Sequence, residues 1–201
     1  AAFALPMLDR LSAAAPRRKG AVRALILTPT RELALQIGES FDAYGKYLKL
    51  RRTVIFGGVG QAPQVEAIRK GVDILIACPG RLNDLIGQGH IDLSNLEVFV
   101  LDEADRMLDM GFIRDVTRIL DLMPQRRNLG LFSATISREV MDISWVYQRD
   151  PVEITVRPVE ESKPDITQYR IDLDGREQKL DTIAALITHG EYERAIAFCN
   201  T

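Results

Sequence analysis

A parallel α/β sheet flanked by helices is the fold class predicted for this 201-residue sequence. Three observations predict it. Short apolar runs recur at 24–28, 53–56, 73–77, 98–102 and 129–132; segments of helical period separate them; and the run ending at Asp102 closes on paired carboxylates, as a strand end open to ligand does.

Taken in order, Ala1-Ala2-Phe3-Ala4-Leu5 reads as mid-helix composition, extending to Leu11. The run Ala24 to Thr28 is a strand, with Thr28 as N-cap and Pro29 at the first position of the next helix, so that Thr30-Arg31-Glu32 forms its positive end. Leu33, Ile37, Phe41, Tyr44 and Leu48 make that helix's apolar stripe. A strand at Thr53 to Phe56, its Phe56 expected to be buried, runs into the turn Gly57-Gly58. Asp73 to Ala77 is followed by Cys78-Pro79-Gly80-Arg81, Val98 to Asp102 by Glu103-Ala104-Asp105, and Leu129 to Phe132 by Ser133-Ala134-Thr135. Val140, Ile143, Trp145 and Tyr147 read as the packed face of one helix, and Val152 to Val156 as one more strand. Residues 157–164 are polar, bounded by prolines and aperiodic, which marks an interdomain linker. Strands at Ile166 to Leu173 and Ala195 to Phe198, with a helix marked by Leu180, Ile183, Ala184 and Ile187, would open a second α/β domain.

Composition restricts the function. Lys+Arg of 26 against Asp+Glu of 28 gives 26 − 28 = −2, so no global basic field draws nucleic acid in, and any such contact needs locally placed donors. With aromatics at 6% of residues, base-stacking platforms are unsupported and backbone recognition is the better expectation. Two cysteines without zinc spacing imply reduced thiols in an intracellular compartment, and no run approaches the roughly 18 apolar residues of a membrane span, so a cytoplasmic protein without membrane contact is expected. His90 and His189 beside glycines suggest no histidine catalysis.

Asp102 at a strand's carboxyl end suits a hard cation, and Glu103 beside it suits the orientation or deprotonation of a water. The same Asp-Glu-Ala-Asp also suits acidic capping of the next helix, and spacing alone does not choose. Thr30 and Arg31 at a helix start offer amides and a guanidinium to phosphate, while a plain cap with a solvated arginine fits equally.

Pro29-Thr30-Arg31-Glu32-Leu33-Ala34, Asp102-Glu103-Ala104-Asp105 and Ser133-Ala134-Thr135 together resemble the motifs of the DEAD-box family of ATP-dependent RNA helicases, over essentially all of the chain. The resemblance implies a RecA-like domain at 1–156, incomplete at its N-terminus, a linker at 157–164 and the start of a second RecA-like domain at 165–201. It implies ATP and Mg2+ as cofactors, Asp102 and Glu103 as catalytic residues with Asp102 on the metal directly or through water, and interdomain coupling through Asp105, Ser133 and Thr135. It implies RNA as partner, held without sequence readout by Thr30, Arg31, Gly58, Gly80 and Arg81. Cys78 departs from the family's threonine, replacing a hydroxyl by a weaker thiol donor.

No Gly-x4-Gly-Lys-Ser/Thr phosphate loop occurs: Gly45-Lys46 is followed by Tyr47, and Ser40 stands where the first glycine belongs. The expectation is a fragment beginning just after that loop, without sustained ATP hydrolysis of its own and with an unpaired sheet edge that lowers its stability. Two other functions fit less of the pattern, a non-catalytic RNA-binding or protein-docking remnant and a DNA-directed helicase ATPase.

Overall fold

The computed structural model describes residues 1–14, 20–123, 128–156, 166–173, 175, 177–190 and 192–198. The chain divides into two units, Ala1–Val152 and Glu153–Thr201.

The first unit holds five parallel strands, β1 (Ala24–Leu27), β2 (Arg52–Ile55), β3 (Ile74–Ala77), β4 (Val98–Leu101) and β5 (Asn128–Leu131), in the order β2-β3-β1-β4-β5. The helices are α1 (Ala4–Ala13), α2 (Arg31–Tyr44), α3 (Ala62–Arg69), α4 (Pro79–Gly87), α5 (Ala104–Asp109), α6 (Ile113–Asp121) and α7 (Arg138–Tyr147). Central β1, β3 and β4 are buried at all four positions, which is why their sequences are unbroken apolar runs. Alternate residues supply two cores: Leu25, Leu27, Leu75, Phe99 and Leu101 face α3 to α7, whereas Ala24, Ile26, Ile74, Ile76, Val98 and Val100 face α1 and α2. The order explains this division. The step from β1 to β2 runs one way along the sheet and every later step runs the other, and right-handed crossovers then lay α2 on one face and α3 to α6 on the opposite one.

Several expectations need correction. Thr28 does not cap α2; it is fully buried and its N–H extends the ladder to the Ala77 carbonyl at 3.0 Å, so the cap moves to Thr30, whose hydroxyl accepts the Leu33 N–H at 3.3 Å. The stripe of α2 is buried only at Ala34, Ile37, Gly38 and Phe41, with Tyr44 and Leu48 exposed because the helix stops at Tyr44. Phe56 lies one residue past β2 and is half-buried. In α7, Val140 and Ile143 are buried but Trp145 is 73% exposed, since residues two apart on a helix point to different sides.

Val152 to Val156 forms no strand and its apolar side chains are exposed. In the second unit the expected helix forms as α8 (Glu177–His189), but Ile166 to Leu173 and Ala195 to Phe198 are not strands. Ile166, Tyr169, Ile196 and Phe198 are exposed there, and among the described residues no ladder partner meets either segment. The linker expected at 157–164 lies outside the described residues.

Candidate functional site

All the residues singled out in the sequence follow the carboxyl ends of parallel strands, so the register of the sheet sets them along one edge. Thr30 and Arg31 follow β1, Gly58 follows β2, Gly80 and Arg81 follow β3, Asp102 to Asp105 follow β4, and Ser133 and Thr135 follow β5. Two recesses lie elsewhere. One of about 320 Å³ is lined by Leu8, Phe41, Lys46, Arg52 and Ile74 and another of about 180 Å³ by Val22, Ile68, His90 and Ile91, both at the strands' amino ends.

Asp102 ends the ladder, its N–H donating to the Leu27 carbonyl at 2.9 Å. Its half-buried carboxylate accepts the Glu103 N–H at 3.1 Å. Desolvation raises its pKa above the usual aspartate value, the Glu103 amide opposes the rise, and the Glu103 charge adds to it. Glu103 then takes a left-handed backbone at φ 51°, ψ 52°, a strained conformation for a non-glycine residue, and this turns the chain sharply from β4 into α5. The Glu103 carboxylate meets the Arg106 guanidinium at 3.1 Å.

Glu103 at the N-cap makes no side-chain cap bond, but Asp105 in the first turn of α5 accepts the Arg106 N–H at 3.0 Å, so the acidic segment serves its own helix in part. The neighbouring strand end satisfies two further amides. The Phe132 carbonyl accepts the Ala104 N–H at 3.0 Å and the Ser133 hydroxyl accepts the Asp105 N–H at 3.2 Å, while that hydroxyl donates to the Thr135 carbonyl at 2.7 Å. In return the Asp105 carboxylate accepts the Thr135 N–H at 2.8 Å and hydroxyl at 2.7 Å. Burial is the largest single influence and raises the Asp105 pKa, but the bonds from Thr135, Arg106 and Ser133 together outweigh it and hold the pKa below the usual value. This contact therefore stabilises the strand-end pair above the ordinary aspartate range and is lost as pH falls through the lowered pKa. Thr135→Val is expected to move the Asp105 titration upward, read by carboxyl NMR; an unchanged titration would show that the hydroxyl contributes nothing.

Across the sheet, the Arg31 guanidinium sits 5.0 Å from the Phe56 ring centroid, and Arg81 donates through Nη2 to the Val59 carbonyl at 2.9 Å. The Arg81 side chain is only 12% exposed, and its Nη1 is buried without a hydrogen-bond partner. Gly58 has φ +78°, which requires glycine. Gly57, Gly60 and Gly80 have no such need, and a Cβ at any of them would meet nothing within 4 Å, so the fold gives no packing reason for glycine there. Cys78, the N-cap of α4 without a side-chain cap bond, has its thiol pKa pushed up to about 11 by burial and the nearby Glu32, so it stays protonated at neutral pH.

The structure thus brings Asp105, Ser133 and Thr135 into direct contact, and places Arg31 and Arg81 against one glycine-rich loop. Among the described residues no hydrogen bond or ion pair joins Asp102 or Glu103 to Thr30, Arg31, Gly58, Gly80 or Arg81. Sequence reasoning passed over Gln64, whose carboxamide clamps that loop, because a glutamine in a polar helix carries no pattern. Among the described residues no helix is long and apolar enough to cross a membrane.

The DEAD/DEAH box helicase family model matches residues 1–143. The chain is 38% identical over its whole length to the ATP-dependent RNA helicase DeaD of Mycobacterium tuberculosis, covering 35% of that protein. It is 36% identical to the ATP-dependent RNA helicase eIF4A of Neosartorya fischeri, again over the whole chain, covering 50% of the relative. The chain thus spans about a third to a half of the curated relatives it matches. Among solved structures, a DEAD box protein from Methanococcus jannaschii superposes with a TM-score of 0.67 at 39% identity, over 74% of this chain and 39% of that one. The yeast DEAD-box splicing factor Prp28 gives 0.70 at 32% identity, over 74% and 36%.

Proposed function

The chain belongs to the DEAD/DEAH box helicase family, and from that premise we propose that it is part of an ATP-dependent RNA helicase that couples ATP binding and hydrolysis to RNA binding and local duplex unwinding. Asp102 and Glu103 serve the nucleotide, Asp105 with Ser133 and Thr135 couples it to movement of a second domain, and Thr30, Arg31, Gly58, Gly80 and Arg81 hold RNA backbone. The observation that carries this reading is the mutual bonding of Asp105 with Ser133 and Thr135 directly beside the strand end that bears Asp102.

The residues present fit magnesium. A half-buried, desolvated carboxylate at Asp102 gains from a cation beside it. Among the described residues no three His, Cys, Asp or Glu side chains gather as a metal cluster, which suits an ion that keeps water and phosphate oxygens as most of its ligands. When bound, the ion would offset phosphate charge; Asp102 would hold it and Glu103 would orient the attacking water. The amides and lysine of a phosphate loop are not among the 201 residues, so this segment alone is expected to show no sustained hydrolysis.

Binding of the chain to labelled oligouridine and to oligodeoxyuridine, at about 50 and about 200 mM salt, tests the RNA assignment. Salt-sensitive binding with preference for the ribose strand is expected. Equal affinity for both strands would favour a DNA-directed ATPase, and no binding to either would remove the RNA reading altogether.

A further inference from the structure

Gln64 stands half-buried in the first turns of α3 and touches no residue assigned to nucleotide or RNA above. Its carboxamide faces back across the loop that leaves β2. The Phe56 N–H donates to Gln64 Oε1 at 3.1 Å, Gln64 Nε2 donates to the Phe56 carbonyl at 3.2 Å, and the same nitrogen reaches the Gly60 carbonyl at 3.5 Å. A side-chain amide thus makes the pair of bonds that a neighbouring strand would make to Phe56, at the point where the ladder of β2 ends. Arg81 also fixes the Val59 carbonyl, and Arg31 covers the Phe56 ring. Gly57, Gly58 and Gly60 contribute no side chain to hold themselves in place, yet their Cα faces stay open.

We propose that Gln64 is a positioning residue for RNA backbone binding: it holds the loop 56–60 so that its glycine main chain is presented, already ordered, to phosphate and ribose. The inference rests on the RNA reading above. It follows from these contacts of Gln64, Arg81 and Arg31 with the loop, since a free run with three glycines would lose most of its conformational freedom only on binding, and that ordering cost would come out of the affinity.

The test measures oligouridine affinity of the whole chain, at low salt, for wild type, Gln64→Ala and Gln64→Glu, with amide hydrogen exchange at residues 56–60 and thermal melting alongside. Loss of the paired bonds is expected to weaken RNA binding roughly tenfold in Gln64→Ala and to speed loop exchange, with little change in melting. Gln64→Glu keeps the acceptor for Phe56 N–H but loses the donor while ionised, so its deficit relative to wild type should shrink as pH falls into the carboxylic acid range. Wild type that binds RNA, with both variants binding as tightly, overturns this inference alone. So does lost affinity that follows global melting without any pH-dependent recovery in Gln64→Glu. Wild type that fails to bind RNA overturns this inference and the RNA reading together.

Discussion

Arg23→Ala is expected to cost about 3–5 kcal/mol, the penalty for breaking a buried ion pair by removing one partner. Arg23 is 2% exposed, immediately before β1, and its guanidinium joins two separate segments, the end of α1 and Glu97. Nε meets Glu97 Oε1 at 2.6 Å, Nη1 donates to the Leu11 carbonyl at 2.9 Å, and Nη2 donates to the Ala14 carbonyl at 3.0 Å. The last two are carbonyls at the end of α1, which have no partner within the helix, so the arginine also caps α1 from the sheet side. Its own carbonyl accepts the Glu97 and Val98 N–H groups at 2.7 and 3.2 Å, which fixes β4 beside β1. Removing the side chain leaves Glu97 largely buried without its partner and frees α1 from the sheet. Against a total stability of about 5–15 kcal/mol for an ordinary domain, much of the folded population is then lost. Urea unfolding followed by circular dichroism measures this. Arg23→Lys should fall between, because a single ammonium cannot reach the carboxylate and both carbonyls in the guanidinium's forked geometry. A midpoint for Arg23→Ala equal to wild type would mean that the pair contributes nothing net.

Arg23 also shows what a sequence hides. Each of the five strands of the sheet was legible as an apolar run to within a residue, most plainly β1, β3 and β4, where burial on both faces leaves an unbroken apolar composition. The expected ends overshoot at Thr28, Asp102 and Phe132, whose N–H groups do continue the ladder to Ala77, Leu27 and Leu101. Pattern reports burial there, while strand assignment needs both neighbours in register. The segments at 152–156, 166–173 and 195–198 failed for the complementary reason: apolar content marks a segment able to join a sheet, but a strand exists only where another strand pairs with it. A buried arginine defeats the pattern altogether, since charge at a position is ordinarily read as exposure. The edge residues were legible by motif, and the Asp105 contacts to Thr135 follow from it, but the loop clamp by Gln64 depends on a fold-level juxtaposition of α3 with the end of β2.

Glu103→Gln, in a protein that also carries a phosphate loop ahead of α1, is expected to lower RNA-stimulated ATP turnover by roughly 10²–10⁴ while leaving nucleotide affinity nearly intact. The carboxamide keeps the shape and the hydrogen-bond reach of the carboxylate but cannot take a proton from water. Backbone geometry supports the distinction. The left-handed turn at Glu103 is set by the ladder bond at Asp102 and by the Phe132 carbonyl on the Ala104 N–H, neither of which involves the Glu103 side chain. The substitution should therefore leave β4 and α5 in place. Asp102→Asn is expected to behave differently, because removal of the negative charge at the strand end weakens the hold on magnesium and on the nucleotide with it, so that KM rises as kcat falls. The contrast matters more than either loss. If Glu103 merely turned the chain, Gln would retain full turnover. If Asp102 and Glu103 shared one role, both variants would shift KM and kcat in the same proportion. Steady-state kinetics of the two variants, with nucleotide affinity measured separately by a fluorescent analogue, distinguishes these cases, and full turnover in Glu103→Gln would remove Glu103 from the chemistry.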